Sequence, residues 1–172
     1  MDSMPNIISR NGDPELYDLL EKLTISYQYL EHPPAPTIAI AKQYWEGHDA
    51  LHCKNLFFRN HKGNRHYLVI LDCERDLHIH DIEKMLKQGK LSFASENRLQ
   101  KYLGVSPGSV TPFGLIHDRE HHVHLFLDEN LRNAARVSFH PCVNTASLLI
   151  DLKDFVKFLD YTQNKYEWLK LY

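Results

Sequence analysis

The sequence predicts a single α/β (α+β) domain with a mixed, mostly antiparallel β-sheet flanked by helices. Three observations lead there. Helical and strand-like segments are interleaved along the chain, β-rich runs face each other across short turns, and 172 residues suit one domain, 1–172, with one sizeable core.

The elements follow from local chemistry. Pro14 to Leu23 reads as a helix with Leu16, Leu19, Leu20 and Leu23 on one face, Asp13 as its N-cap and Pro14 in its first turn. Ser26 to Glu31 alternates as a short strand, and His32-Pro33-Pro34-Ala35-Pro36 is a stiff connector. Thr37 caps a helix running to about Trp45. Leu51 to Asn60 and His66 to Asp72 flank a Lys62-Gly63-Asn64 turn, which signals a hairpin. His80 to Gln88 is helical, with Ile82, Met85 and Leu86 as its apolar stripe. Leu91 to Ala94 is a short strand, Ser95 a cap, and Arg98 to Leu103 another helix.

Phe113 to Ile116 and His122 to Leu127 read as a second hairpin, and Arg136 to Phe139 and Ala146 to Ile150 as two further strands. Asp151 to Tyr161 is a closing amphipathic helix with Leu152, Phe155, Val156 and Leu159 inward. The apolar residues after it (Tyr166, Trp168, Leu169, Leu171, Tyr172) pack on the body or serve an interface.

Composition narrows the class. A hydrophobic fraction of 43% with 24% charged residues is that of a soluble globular protein. No apolar run approaches the ~20 residues of a membrane span, and the start has no signal-peptide pattern, so a cytoplasmic protein without membrane partners is expected. Cys53, Cys73 and Cys142 are odd in number and lack Cys-x-x-Cys spacing, which points to reduced thiols.

A net charge of −2 argues against a general nucleic-acid binder, yet the charges are segregated. Lys54, Arg59, Lys62 and Arg65 fall in an acid-free stretch from Ala50 to Leu71. Five cations stand against Glu96 between Lys84 and Lys101. Such asymmetry gives either a basic face for a few phosphates or a solvated surface segregated only in sequence.

Three segments offer chemistry. Gly104-Val105-Ser106-Pro107-Gly108-Ser109-Val110-Thr111-Pro112 is a stiff loop whose bare backbone N–H groups suit an anion or a developing oxyanion, or it is an ordinary turn. Lys54-Asn55 leads into the apolar run Leu56-Phe57-Phe58. Its ammonium either reaches an anion or snorkels to solvent. In Phe139-His140-Pro141-Cys142-Val143-Asn144-Thr145, His140 and Asn144 face a bound hydroxyl, carbonyl or amine, or simply satisfy a turn. Ser92-Phe93-Ala94-Ser95 adds hydroxyls to a pocket wall or, more simply, a helix cap.

Taken together and in this order, Lys54-Asn55-Leu56-Phe57, Ser92-Phe93-Ala94, the Gly104 to Leu115 loop and Phe139 to Thr145 resemble the YbaK and prolyl-tRNA-synthetase-associated editing-domain superfamily. The freestanding branch that deacylates alanyl-tRNA(Pro) is the nearer likeness, and Leu16-Tyr17-Asp18-Leu19-Leu20 and Glu31-His32-Pro33-Pro34 match its opening. The resemblance covers roughly residues 13 to 160.

The resemblance implies a metal-independent, cofactor-free trans-editing hydrolase that cleaves the ester joining a wrong amino acid to the 3′ end of tRNA(Pro). It implies a monomer that meets the alanine-bearing acceptor end of tRNA(Pro) and, transiently, prolyl-tRNA synthetase. The family lysine falls on Lys54, its Gly-x-x-x-Pro motif on Gly108 to Pro112, and its histidine on His140. Catalytic roles are expected for Lys54, Gly108 and His140. Substrate contacts are expected from Asn55, Phe57, Thr37, Ser95, Thr111, Pro112 and Asn144. Phe57, Pro33-Pro34 and the Thr37 helix are the expected walls. Ser147 stands in place of a threonine and Phe58 in place of a leucine, changes that bear on pocket size.

Other readings compete. A YbaK-type deacylase would take cysteinyl-tRNA(Pro), and a non-catalytic module would only bind tRNA. The dense His117 to His124 segment offers a third, in which His122 and His124 share zinc with His117 or Glu120 at a solvated hairpin tip.

Overall fold

The computed structural model describes residues 9–35 and 37–172, so Pro36 of the expected connector lies outside the described residues. Helix α1 (Pro14–Lys22) starts where Asp13 accepts the Glu15 N–H at 2.9 Å, and buries Leu16 and Leu20 fully. Strand β1 (Tyr27–Glu31) leads to α2 (Ile38–Trp45), capped by Thr37 through the Ile40 N–H. Strands β2 (Leu51–Arg59) and β3 (His66–Asp72) form the expected hairpin. They are followed by α3 (Ile79–Leu86), β4 (Ser92–Phe93) and α4 (Glu96–Leu103), with Ser95 capping α4. Strand β5 (His124–Asp128), β6 (Arg136–Phe139), β7 (Ala146–Asp151), α5 (Leu152–Thr162) and β8 (Tyr166–Leu169) complete the chain.

One eight-stranded sheet runs β1-β7-β6-β2-β3-β5-β8, with β4 beside β2. The pairs β1/β7, β6/β7, β2/β3 and β2/β4 are antiparallel, and β2/β6, β3/β5 and β5/β8 are parallel. The larger core lies on one face under α1 and α5, where Phe113, Phe139, Phe155 and Phe158 meet. A smaller core of Phe58, Tyr67, Val69, Leu71, Ile82 and Phe126 sits on the other face beneath α3.

Two segments differ from expectation. Phe113 to Ile116 is not a strand but part of a 3₁₀ turn, Pro112–His117, so the hairpin expected between it and His122 to Leu127 does not form, and β5 joins β3 in parallel instead. Thr111 accepts the Phe113 N–H, Pro112 opens the turn, and a Cβ on Gly114 would press on the Leu103 carbonyl oxygen. Helix α5 does not close the fold, because β8 adds a parallel edge strand after it. The inward face of α5 uses Phe158 where Val156 was expected, and Val156 is only half-buried.

Candidate functional site

Strand β2 pairs with β6 only through Leu51 and His52, and beyond that point the two strands part. A cavity of about 300 Å³ fills the gap. Cys53, Lys54 and Asn55 border it from β2, and His140 borders it just past the end of β6. Helix α2 forms a third wall through Ile38, Ala41 and Trp45, spaced i, i+3 and i+7 on one helix face. Gly108, Val110 and Asn144 come from the two loops.

The Gly108 loop is held by its turn. The Ser109 N–H donates to the Ser106 carbonyl at 3.1 Å, with Pro107 second and Gly108 third at φ +86°, the pattern of a type II turn. Ser109 and Thr111 are buried and anchor the exposed glycine. A Cβ there would meet Asn144 Nδ2 at 3.7 Å, so the two loops touch at the cavity.

Lys54, Gly108 and His140 thus meet in one place, together with Thr37, Asn55 and Asn144. Four expected contacts do not line it. Phe57 points into the core against His66 and Tyr102, Ser95 caps α4, Thr111 caps the 3₁₀ turn from a fully buried position, and Pro112 is buried at that turn's start. Of the expected walls, α2 is present, whereas Pro33 and Pro34 are exposed outside the lining and Ala35 takes their place. Sequence reasoning missed Ile38, Ala41, Trp45 and Val110, although the spacing along α2 carried a signal. Two larger concavities, of about 510 and 740 Å³, lie on the far side of α2 and between α1 and the end of α5, and contain none of the expected residues.

The polar groups at the cavity are under-partnered. The Lys54 side chain is only 21% exposed, and its ion-pair partner Asp76, at 3.4 Å, is fully in solvent. A screened partner does little to compensate a largely buried lysine side chain, so an anion is favoured there. Asn55 Oδ1 is buried without a hydrogen-bond partner among the described residues and stands as an open acceptor. His140 Nδ1 donates to the Ala146 carbonyl at 2.8 Å, and burial, with His32 acting in the same sense against that hydrogen bond, holds the imidazole below its ordinary range. Behind it, His32 bonds Ser147 Oγ and the Pro33 carbonyl, each at 2.9 Å, and its ring lies 5.8 Å from that of His140. Ser147 therefore serves as a prop and not as a wall. Burial pushes the Cys142 thiol up to about 12 and the Cys53 thiol upward as well, so neither is a thiolate at neutral pH.

The rival zinc arrangement of His122 and His124 with His117 or Glu120 does not form among the described residues. His122 Nε2 meets His66 Nδ1 at 2.9 Å, His124 pairs with Glu167 at 2.6 Å and His117 with Asp13 at 2.6 Å. Among the described residues, the one group of ligand-type side chains close enough to share a cation is Asp13, Glu15 and His117. His122 is also no solvated tip residue, since it stacks on Tyr102 with ring centroids 4.6 Å apart.

The aminoacyl-tRNA editing domain family matches residues 32–158, a span that contains every residue of the cavity. The chain belongs to that family. As an editing domain it is an enzyme of the aminoacyl-tRNA hydrolase class. It is 37% identical over 153 residues to the prolyl-tRNA editing protein ProX of Acetoanaerobium sticklandii, covering 88% of this chain and 93% of that protein. It is 31% identical over 152 residues to prolyl-tRNA synthetase associated domain-containing protein 1 of Mus musculus, covering 86% and 89%. A crystal structure of a candidate trans-editing enzyme for prolyl tRNA synthetase shares the fold at a TM-score of 0.65 and 22% identity, over 92% of this chain and 98% of that one. Among the described residues, no helix of this editing domain is long and apolar enough to cross a membrane.

Proposed function

We propose that the cavity between β2 and β6 hydrolyses the ester of alanyl-tRNA(Pro), correcting a mischarging error of prolyl-tRNA synthetase. The observation that carries this reading is the convergence of Lys54, Asn55, Gly108, His140 and Asn144 from separate segments on one cavity of about 300 Å³. That size is at the small end of ligand pockets and suits a terminal aminoacyl-ribose.

An aminoacyl ester is already activated, so the protein needs to position it, admit a water and stabilise the tetrahedral oxyanion. The backbone N–H groups at Gly108 face that oxyanion, and the Lys54 ammonium holds the terminal phosphate or ribose oxygens. The open Asn55 Oδ1 accepts from the substrate α-ammonium, which every aminoacyl ester carries. Ile38, Ala41 and Val110 close on a methyl side chain. With Nδ1 committed to Ala146, neutral His140 offers Nε2 as an acceptor for a ribose hydroxyl or the attacking water. The substrate's own 2′-hydroxyl supplies the activation that no thiolate provides. A second sieve is needed because a proline pocket rejects smaller amino acids by only ~1–3 kcal/mol per missing methylene.

The test is hydrolysis of alanyl-, cysteinyl- and prolyl-tRNA(Pro) by the pure protein, with and without EDTA. Loss of alanine alone, unaffected by EDTA, is the expected result. Loss of cysteine alone assigns the YbaK-type activity, and no hydrolysis of any of the three leaves a binding module.

A further inference from the structure

The two basic stretches of the sequence are not scattered over the surface. Asn60, fully buried, joins them: its Oδ1 accepts from the Asn64 and Arg65 N–H groups at 3.0 Å each, and its Nδ2 donates to Asn64 Oδ1 at 2.8 Å and to Gln88 Oε1 at 3.3 Å. The His61 N–H donates to the Gln88 carbonyl at 3.2 Å, and Gly89, at φ +76°, lies directly against His61. The β2–β3 turn and the turn after α3 are therefore locked side by side. Lys62, Arg65, Lys87 and Lys90 are exposed on them, and Arg59 is half-exposed beside them with one terminal nitrogen on the Asn60 and His61 carbonyls. Glu83, the acid nearest in α3, is turned inward onto the Leu91 N–H at 3.0 Å and onto His80. The remaining acid of that stretch is Glu96, at the start of α4.

An aromatic ring adjoins this surface. Phe93 on β4 is 68% exposed, and its inner face stacks on Phe58 at 4.8 Å. Side chains alternate along a strand, so Phe58 and Lys54, four residues apart on β2, leave the same face. At ~3.3 Å per residue they are about 13 Å apart, with Arg59 one residue further on.

We infer that these two locked turns form a phosphate-binding platform for the acceptor stem of the tRNA whose 3′ end enters the cavity, with Phe93 stacking an unpaired base on the way. This rests on the deacylase reading for the identity of the nucleic acid. Cations fixed on turns at the far end of β2, the strand whose other end borders the cavity, beside an exposed ring, match a helical backbone leading into a short single strand. Preorganisation by Asn60 spares the cost of ordering the turns on binding.

The experiment compares the unmodified protein with K62E/K87E/K90E and K62R/K87R/K90R, after thermal melting confirms that both variants fold. Binding of uncharged tRNA(Pro) is followed by fluorescence anisotropy across salt concentrations, and hydrolysis of an aminoacylated CCA trinucleotide is measured beside that of aminoacyl-tRNA. The charge-reversed variant is expected to bind at least ~10-fold more weakly, with a log–log salt slope shallower by about 3, near one per lost phosphate contact. The arginine variant is expected to keep both affinity and slope, and trinucleotide hydrolysis to be unchanged in all three proteins. Unchanged tRNA affinity and slope in the charge-reversed variant overturn the platform, as does absence of tRNA binding by the unmodified protein. Absence of trinucleotide hydrolysis by the unmodified protein overturns the deacylase reading, while the binding arm still decides the platform.

Discussion

His140 Nδ1 and the carbonyl oxygen of Ala146 are 2.8 Å apart, and because a carbonyl only accepts, that nitrogen carries the proton. In the neutral ring, Nε2 is then a bare acceptor. Burial, the largest influence, holds the imidazole below its ordinary value, so the neutral form persists throughout the physiological range. Histidine NMR is expected to show His140 titrating with a midpoint below 6.5, and the acid limb of kcat/KM for deacylation to coincide with it. A His140 midpoint above 7 removes the acceptor role at neutral pH.

Among the described residues Lys54 touches a single acid, Asp76, and that acid is in solvent. Replacing it should leave the fold intact, since no buried carboxylate is stranded. K54A is expected to melt within a degree or two of the unmodified protein while losing ~10- to 150-fold in kcat/KM, the worth of a charged hydrogen bond of about 1.5–3 kcal/mol. D76N is expected to leave both quantities unchanged. Unfolding of K54A would place the lysine in a structural network instead.

Much of this site was legible in the sequence, for definable reasons. Lys54-Asn55, Gly108 and His140-Asn144 announce themselves because a charged or conformationally special residue interrupts an apolar context. The misassigned residues share a different cause. Phe57 leaves the same face of β2 as the lining Asn55 but two residues further along, where the strand lies over the core beside His66 and Tyr102. Thr111 and Pro112 follow the lining Val110 into the 3₁₀ turn that buries them. The apolar run Phe113-Gly114-Leu115-Ile116 reads as a strand to any period-2 argument, and only the packing of Gly114 on Leu103 and the cap from Thr111 decide otherwise. Strand β8 and the parallel pairings of β5 with β3 and β8 depend on contacts between residues about forty to sixty apart, which local periodicity does not encode.

Gly108 has room for a side chain but not the backbone for one. Its would-be Cβ meets nothing nearer than Asn144 Nδ2 at 3.7 Å, whereas its φ of +86° is disfavoured for any L-residue. G108A is expected to cost about 1–2 kcal/mol in urea unfolding. Relaxation of the turn would also displace the N–H groups proposed for the oxyanion, and a shift of about 1 Å is expected to lower kcat ~10²-fold. A stable G108A variant with full activity would show that the turn does not position the reacting ester.

Acid sensitivity should arise away from the cavity's catalytic side, in two histidines, one half-buried and one fully buried, whose ring nitrogens are shielded from solvent. His52 stacks on Trp45 at 4.1 Å with both ring nitrogens buried and, among the described residues, unpartnered, and burial pushes it to about 4. His66 accepts from Arg98 at 2.8 Å and donates to His122, and burial, with His122 and Arg98 adding to it, also brings it to about 4. Unfolded, both rings bind a proton near 6.5. Between about pH 6.5 and pH 4 the unfolded chain therefore holds more protons than the folded one, so stability falls as the pH is lowered through that window, by at most roughly 3 kcal/mol per ring. The two rings separate under mutation. H66F would strand Arg98 and His122, but H52F keeps the stack and removes two unpartnered nitrogens. H52F is expected to unfold in urea at an equal or higher midpoint at pH 7, and to lose less stability than the unmodified protein on going to pH 5. A lower midpoint at pH 7 would mean that His52 holds a polar partner in solution, and an unaltered pH dependence would assign the acid sensitivity to His66 alone.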